Sequence, residues 1–304
     1  MRPTLTPIPG WHKSMVITIA SGKGGTGKTT VAVNLAHTIA QDNQHSTWLV
    51  DCDVEAPNAA LFLQPTFVEE VPVERLLPVI DNEKCTACGV CVHACQFNAL
   101  AIAGGKVLFF KELCHACGSC TLVCPEDAIL EEPELVGMLQ KGYSGPLQFA
   151  QGTLEIGFSS PTPVIRSLKK WILPEQSNDI FLLDASPGTS CPVVETMRGS
   201  DYALFVTEPT PFGLHDLKLV AELNEKEFQL PAGIVINKSG DNDAEIEQFA
   251  QEKDLPILMR IPLSRQFAEA YSSGKLLVEE VPALRSAFLD LYRSIHRDVT
   301  KENR

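Results

Sequence analysis

Short apolar runs that stop abruptly at a polar residue recur along this chain. Met15–Ala20 (MVITIA) runs into Ser21 and a glycine-rich stretch, and Thr47–Val50 (TWLV) stops at Asp51. Asp179–Leu183 (DIFLL) stops at Asp184, Tyr202–Thr207 (YALFVT) at Glu208, and Gly233–Ile236 (GIVI) at Asn237. Such runs predict strands buried on both faces, and the polar stops predict a site along the carboxyl edge of a parallel sheet. Val31, Leu35 and Ile39 fall at near-helical spacing, so a helix is expected over Thr29–Gln41, ending at an Asp42-Asn43 turn. The alternation predicts an α/β fold with a doubly wound, mostly parallel sheet. Near the end, Leu284, Phe288, Leu291, Tyr292 and Ile295 form an apolar stripe. Acidic Asp290 and Asp298 among its arginines favour packing on the core over a membrane-surface helix.

The rhythm breaks in the middle. A cysteine-rich segment occupies Asp81–Pro133, and Gly142, Gly145, Gly152 and Gly157 then predict a loop-rich return before it resumes after Gln176. The expected organisation is therefore one α/β domain in two parts, 14–80 and 134–304, with a small domain, 81–133, inserted between them.

Composition narrows the function. At 304 residues and 44% apolar content the chain is large enough for a proper core plus a small second domain. Its formal charge of −13 disfavours phosphate-backbone attraction, so no nucleic-acid partner is expected. No stretch is long and apolar enough for a transmembrane segment, and Met1–Trp11 has no apolar signal region, so a cytoplasmic protein is expected. Ten cysteines in such a chain read as metal ligands more readily than as disulfides.

Gly22 to Thr29 fits G-x-x-x-x-G-K-[ST], with the strand before and the helix after that the motif requires. Gly24, Gly25, Thr26, Gly27, Lys28, Thr29 and Thr30 form the candidate phosphate cradle for ATP. Glycines let backbone N–H groups turn inward, and the helix dipole favours the anion. Lys28 is expected to reach the β- and γ-phosphates, and Thr29 to coordinate Mg²⁺. Lys23, a second cation in the loop, is either solvated or directed at a neighbouring subunit's phosphates.

The block GKGGTGKTT resembles the deviant Walker A of the MinD/Mrp/nitrogenase-iron-protein class of P-loop ATPases. The resemblance covers roughly residues 14–65 and 150–290. It implies a nucleotide-sandwich dimer in which Lys23 reaches across, formed with a second copy or with a similar ATPase. Asp51 to Asn58 is similar to that class's switch I, which makes Asp53 the group that orients the attacking water and places Asp51 in the magnesium shell. Asp184 to Gly188 resembles switch II, with Asp184 near Mg²⁺ and Gly188 sensing the γ-phosphate. Asn237 and Lys238, with Pro262 further on, resemble the adenine-binding segment. Positioning and electrostatics at such a site drive in-line hydrolysis, slow in the lone chain.

Eight cysteines fall in two runs of C-x2-C-x2-C-x3-C: Cys85, Cys88, Cys91 and Cys95, then Cys114, Cys117, Cys120 and Cys124, displaced by 29 residues at every position. This is the bacterial ferredoxin pattern, in which three close cysteines hold one [4Fe–4S] cluster and the fourth serves the other. It assigns Cys85, Cys88, Cys91 and Cys124 to one cluster, and Cys114, Cys117, Cys120 and Cys95 to the second. Zinc remains the rival, although a third cysteine at the same step is surplus to a tetrahedral site. The proline expected after the fourth cysteine is Pro125 in the second run but Gln96 in the first. His93 and His115 stand beside ligands and are read as supporting or solvated groups. Cys52 is expected to pack away from the phosphates, and Cys191 to be a small buried thiol.

Three functions follow. The leading expectation is an ATPase whose nucleotide state gates electron transfer through two clusters to a redox or metallocluster partner. The alternative is an ATP-dependent iron–sulfur assembly or carrier factor, against which stands the lack of spare cysteine ligands. A positioning ATPase with purely structural clusters is the third.

Overall fold

The computed structural model describes residues 14–42, 45–158, 160–174 and 177–302. Met1–Trp11 and Asn43 of the expected turn lie outside them. The chain divides into two compact units, one comprising the chain up to Val71 and from Met138, the other Pro72–Gly137. The second is longer at both ends than 81–133.

Along the chain come β1 (Met15–Ala20), α1 (Lys28–Ala40), β2 (Thr47–Asp51), α2 (Ala60–Leu63) and β3 (Thr66–Ile80), within which the chain leaves the first unit. The second unit contains α3 (Val90–Ala94), β4 (Leu100–Ala103), β5 (Lys106–Phe109) and α4 (Ser119–Leu122), and β6 (Ile129–Ser144) carries the chain back. The first unit continues with β7 (Leu147–Leu154), α5 (Thr162–Ile172), β8 (Ile180–Asp184), α6 (Cys191–Met197), β9 (Tyr202–Thr207), α7 (Pro211–Glu227) and β10 (Ala232–Ser239). It ends with α8 (Ala244–Glu252), β11 (Ile257–Pro262), α9 (Arg265–Ser272), α10 (Leu277–Glu280) and α11 (Ala283–Glu302).

Among the described residues nine of these strands form one sheet in the order β11-β10-β9-β1-β8-β2-β7-β6-β3, and β4 and β5 form a separate antiparallel pair. From β11 to β7 every neighbouring pair is parallel. Period-two alternation sends side chains to two cores. In β9, Tyr202, Leu204 and Val206 join a cluster with Leu35 of α1 and Phe288 and Leu291 of α11, whereas Ala203 and Phe205 join Val193, Leu217 and Phe249 from α6, α7 and α8. With both faces covered, the strands can be apolar throughout. The C-terminal stripe thus packs on the core, as expected. Register aligns the strand ends, with Asp184 of β8 opposite both Ile19 of β1 and Asp51 of β2.

Most of the expected loop-rich return is regular structure, with Gly157 (φ +94°) in the loop that leads to α5. Residues 129–154 are two long strands joined by a turn at Gly145, whose φ is +58°. Gly142 and Gly152 are close-approach positions. A β-carbon on Gly142 would lie 2.0 Å from the Thr66 carbonyl oxygen, and one on Gly152 2.8 Å from Val54 Cγ1. Among the described residues no helix is long and apolar enough to cross a membrane.

Candidate functional site

The loop from β1 to α1 lines a cleft of about 480 Å³ in the first unit, along with Asp53, Asn237, Lys238 and Pro262. Gly25 and Gly27 take φ of +81° and +92°, which turns the loop back upon itself. Asn237 Nδ2 donates to the Thr26 carbonyl at 2.8 Å and fills the space beside Gly27, where a β-carbon would lie 2.0 Å from it. Lys238 Nζ donates to the Gly25 carbonyl at 3.2 Å. Asn237 and Lys238 therefore brace the loop from β10. The Thr26 hydroxyl is buried without a partner, and Thr29 and Thr30 open α1.

Beneath the loop, Lys28 Nζ meets Asp184 Oδ1 at 3.1 Å, and both side chains are almost wholly buried. Burial works to lower the Lys28 pKa, but Asp184, Asp53 and Asp51 outweigh it and the net shift is upward. The other oxygen of Asp184 is buried and unpartnered. Asp51 accepts from the backbone N–H groups of Asp53, Asn58 and Ala59 at 3.1, 2.9 and 3.0 Å. Burial, together with Asp184 alongside, raises its pKa to about 7. Asp51 thus ties down the turn that presents Asp53 to the cleft. Asp53 is itself shifted up by burial, against the pull of Lys28. Gly188, at φ +99°, donates its N–H to the Ser21 carbonyl at 2.9 Å, which fastens the segment after β8 to the start of the loop.

Lys23 is not simply solvated. Its Nζ lies 2.7 Å from Glu208 Oε1 and 6.0 Å from the Phe212 ring centroid. Glu208 also pairs with Lys238 at 2.7 Å. Burial works to raise the Glu208 pKa, but hydrogen bonds from both lysines hold it below the ordinary carboxylate value. Sequence patterning marks Glu208 only as a strand stop. It also misses Phe267, Tyr271 and Leu277, which line the cleft from α9 and α10. Their signal is tertiary, since in sequence they are ordinary helix residues. The unpartnered oxygens at Asp184 and Thr26, set beside Lys28 and Thr29, fit a nucleotide with its magnesium.

Cys52 is buried as expected, and burial pushes its pKa up to about 12. Cys191 is a correction: it is exposed at the first residue of α6, because the chain after β8 reaches the surface before the helix turns inward.

In the second unit the eight cysteines sort into two pockets. Cys85, Cys88, Cys91 and Cys124 line one, with Ile80, Val107 and Ile129. Cys95, Cys114, Cys117 and Cys120 line the other, with Phe97, Phe109 and His115. The backbone repeats at the same 29-residue offset as the sequence. Positive φ occurs at Ala87 and Ala116, at Gly89 and Gly118, and at Asn98 and Asp127. Ala99 N–H points to Cys95 Sγ and Ala128 N–H to Cys124 Sγ, each at 3.3 Å. None of the ten cysteines forms a disulfide. Among the described residues no three His, Cys, Asp or Glu side chains converge on a point fit for one metal ion. Each pocket draws three thiols from one run and a fourth from the other, a donor set whose chemistry fits a cubane.

Comparison with known proteins places the chain. An uncharacterised protein of Methanocaldococcus jannaschii is 30% identical over 86% of this chain and 90% of its own length. The cytosolic Fe-S cluster assembly factor NUBP2 homologue of Culex quinquefasciatus is 25% identical over 88% of this chain and 90% of its own. The fold is similar to that of the septum site-determining protein MinD of Pyrococcus horikoshii, solved with Mg-ADP. The TM-score is 0.57 at 19% identity, over 93% of this chain and 96% of that one. Residues 17–278 match the family described as the CobQ/CobB/MinD/ParA nucleotide binding domain. With its phosphate loop, paired carboxylates and parallel sheet in one unit, this chain belongs to that family of P-loop ATPases.

Proposed function

We propose that this chain is an ATP-dependent iron–sulfur assembly or carrier factor whose second unit holds two [4Fe–4S] clusters. The observation that carries the reading is the sorting of eight thiols into two four-thiol pockets on a P-loop ATPase. A full-length relative named for cytosolic Fe-S cluster assembly favours this over electron gating, the leading expectation from sequence. Cys88 and Cys117 are exposed, so each set has a ligand that an incoming acceptor thiol can reach.

In the nucleotide site, the N–H groups of Gly24 to Thr30 receive the phosphates, and Lys28 turns from Asp184 toward the β- and γ-phosphates. The Thr29 hydroxyl and the unpartnered Asp184 oxygen would hold Mg²⁺, with Asp51 steadying the turn behind them. Bound magnesium neutralises phosphate charge. Asp53, presented to the cleft, orients the attacking water. Lys23 must exchange Glu208 for a neighbouring chain's nucleotide, so full activity belongs to a dimer, and Gly188 carries γ-phosphate occupancy to the segment after β8.

The test mixes anaerobically reconstituted protein with an apo acceptor of a [4Fe–4S] cluster, with and without Mg-ATP. Assembly function predicts acceptor activation whose rate ATP changes. Electron gating is favoured by one observation, that the eight thiols are complete and leave no spare ligand for a travelling cluster. It predicts clusters that stay on the chain and pass electrons instead.

A further inference from the structure

The internal repeat invites comparison of the two cysteine pockets, because the left-handed backbone positions around the thiols recur at the same offset while the side chains differ. Ser119 Oγ lies 3.4 Å from Cys117 Sγ. Its counterpart 29 residues earlier is Val90, which has no hydrogen to give. Thr121, next to Cys120, corresponds to Val92. At present the Thr121 hydroxyl donates to Glu131 at 3.3 Å. One set therefore has a hydroxyl against a sulfur, with a second beside it at Thr121, where the repeat places valines in the other; the hydroxyl residue that lines the other pocket is Thr86, next to Cys85.

Burial runs the same way. Cys91 is only 6% exposed and packs with Leu100, Val107 and Ile129, whereas its counterpart Cys120 is half-buried. Carboxylates do not separate the pockets, since Glu126 lines one and Glu131 the other, both exposed. Over the second set, Phe97 and His115 stack with ring centroids 3.8 Å apart, and their counterparts at the first are Glu126 and Thr86.

From these differences, and resting on the reading that each set holds a [4Fe–4S] cluster, we infer that the two clusters are inequivalent. The set of Cys95, Cys114, Cys117 and Cys120 has the higher reduction potential and takes the first electron. A one-electron reduction adds negative charge to the iron–sulfur core and its thiolates. A hydroxyl that turns to donate to a thiolate stabilises that charge, and an apolar, buried setting opposes it. With Cys117 ligated as thiolate, the Ser119 hydroxyl is free to turn in this way. Ser119 is a tuning residue and not a ligand.

The experiment is an anaerobic redox titration of the full-length reconstituted chain with dithionite as reductant, followed by electron paramagnetic resonance and paired with iron and sulfide analysis. The expected result is two one-electron waves. Ser119→Ala lowers the upper wave alone by about a tenfold change in its equilibrium, about 59 mV for one electron. Val90→Ser raises the lower wave alone. A single wave in protein that carries its full iron and sulfide overturns the inequivalence and leaves the proposed function standing. So does a Ser119→Ala shift in both waves or in neither. Protein that assembles no cubane overturns both proposals.

Discussion

The most consequential side chain in the nucleotide unit is Asp184, fully buried with one oxygen on Lys28 and the other unpartnered. Removing Lys28 strands that charge beside Asp51, so Lys28→Met should lower the stability of the nucleotide-free protein by about 3 kcal/mol as well as abolish ATP binding. Urea denaturation and a nucleotide-binding titration read the two effects separately. Asp53 should behave otherwise, because it lines the cleft without supporting the loop. Asp53→Asn is expected to bind ATP normally and hydrolyse it about 100-fold more slowly, as single-turnover kinetics would show. That Lys28 and Thr29 line the cleft was legible from motif spacing alone. The Glu208 pairing with Lys23 and Lys238 was not, because it joins side chains from three separate strand ends.

Among the elements, strands buried on both faces were easiest to foresee: β1 and β9 begin and end where their apolar runs do. The strands β3, β6 and β7 were hidden. Charged residues and prolines in β3 and β6, and glutamines and a glycine in β7, break up any continuous apolar run, and glycines at 142 and 152 read as loop when they serve close approach. Helix α5 contributes an arrangement that no pattern announces. Lys169 Nζ donates to the carbonyls of Glu195, Thr196 and Arg198 at the end of α6, at 2.7, 2.8 and 2.6 Å. Beside it, Arg166 donates two hydrogen bonds to the Glu195 carboxylate, at 3.1 and 3.0 Å. Those bonds hold the Glu195 pKa below its ordinary 4.5. A depressed carboxylate stabilises the fold above its unfolded pKa, and that contribution is lost as pH falls through the folded value. Glu195→Gln should therefore cost about 1 kcal/mol at pH 7, a small figure because Arg166 is largely exposed, and the difference from wild type should vanish in acid. Denaturant midpoints at the two pH values measure it.

At the scale of the molecule, one chain combines a family ATPase unit with a compact unit carrying two four-thiol pockets. If Lys23 completes a neighbour's site, specific ATPase activity must rise with protein concentration. Lys23→Ala should flatten that dependence and keep ATP binding, as sedimentation and steady-state rates together would report. The grouping of cysteines across the two runs into two pockets was legible in sequence because the spacing of the thiols is itself a geometric statement. The unequal surroundings of the two sets were not, since they depend on which side chains fold over each pocket. Everything proposed for function depends on what the thiols hold. The most direct measurement is the iron and acid-labile sulfide content of anaerobically prepared protein. Two cubanes predict about eight of each per chain, lost together when the cysteines of either run are replaced. Zinc without sulfide, or iron bound with no sulfide, would contradict it.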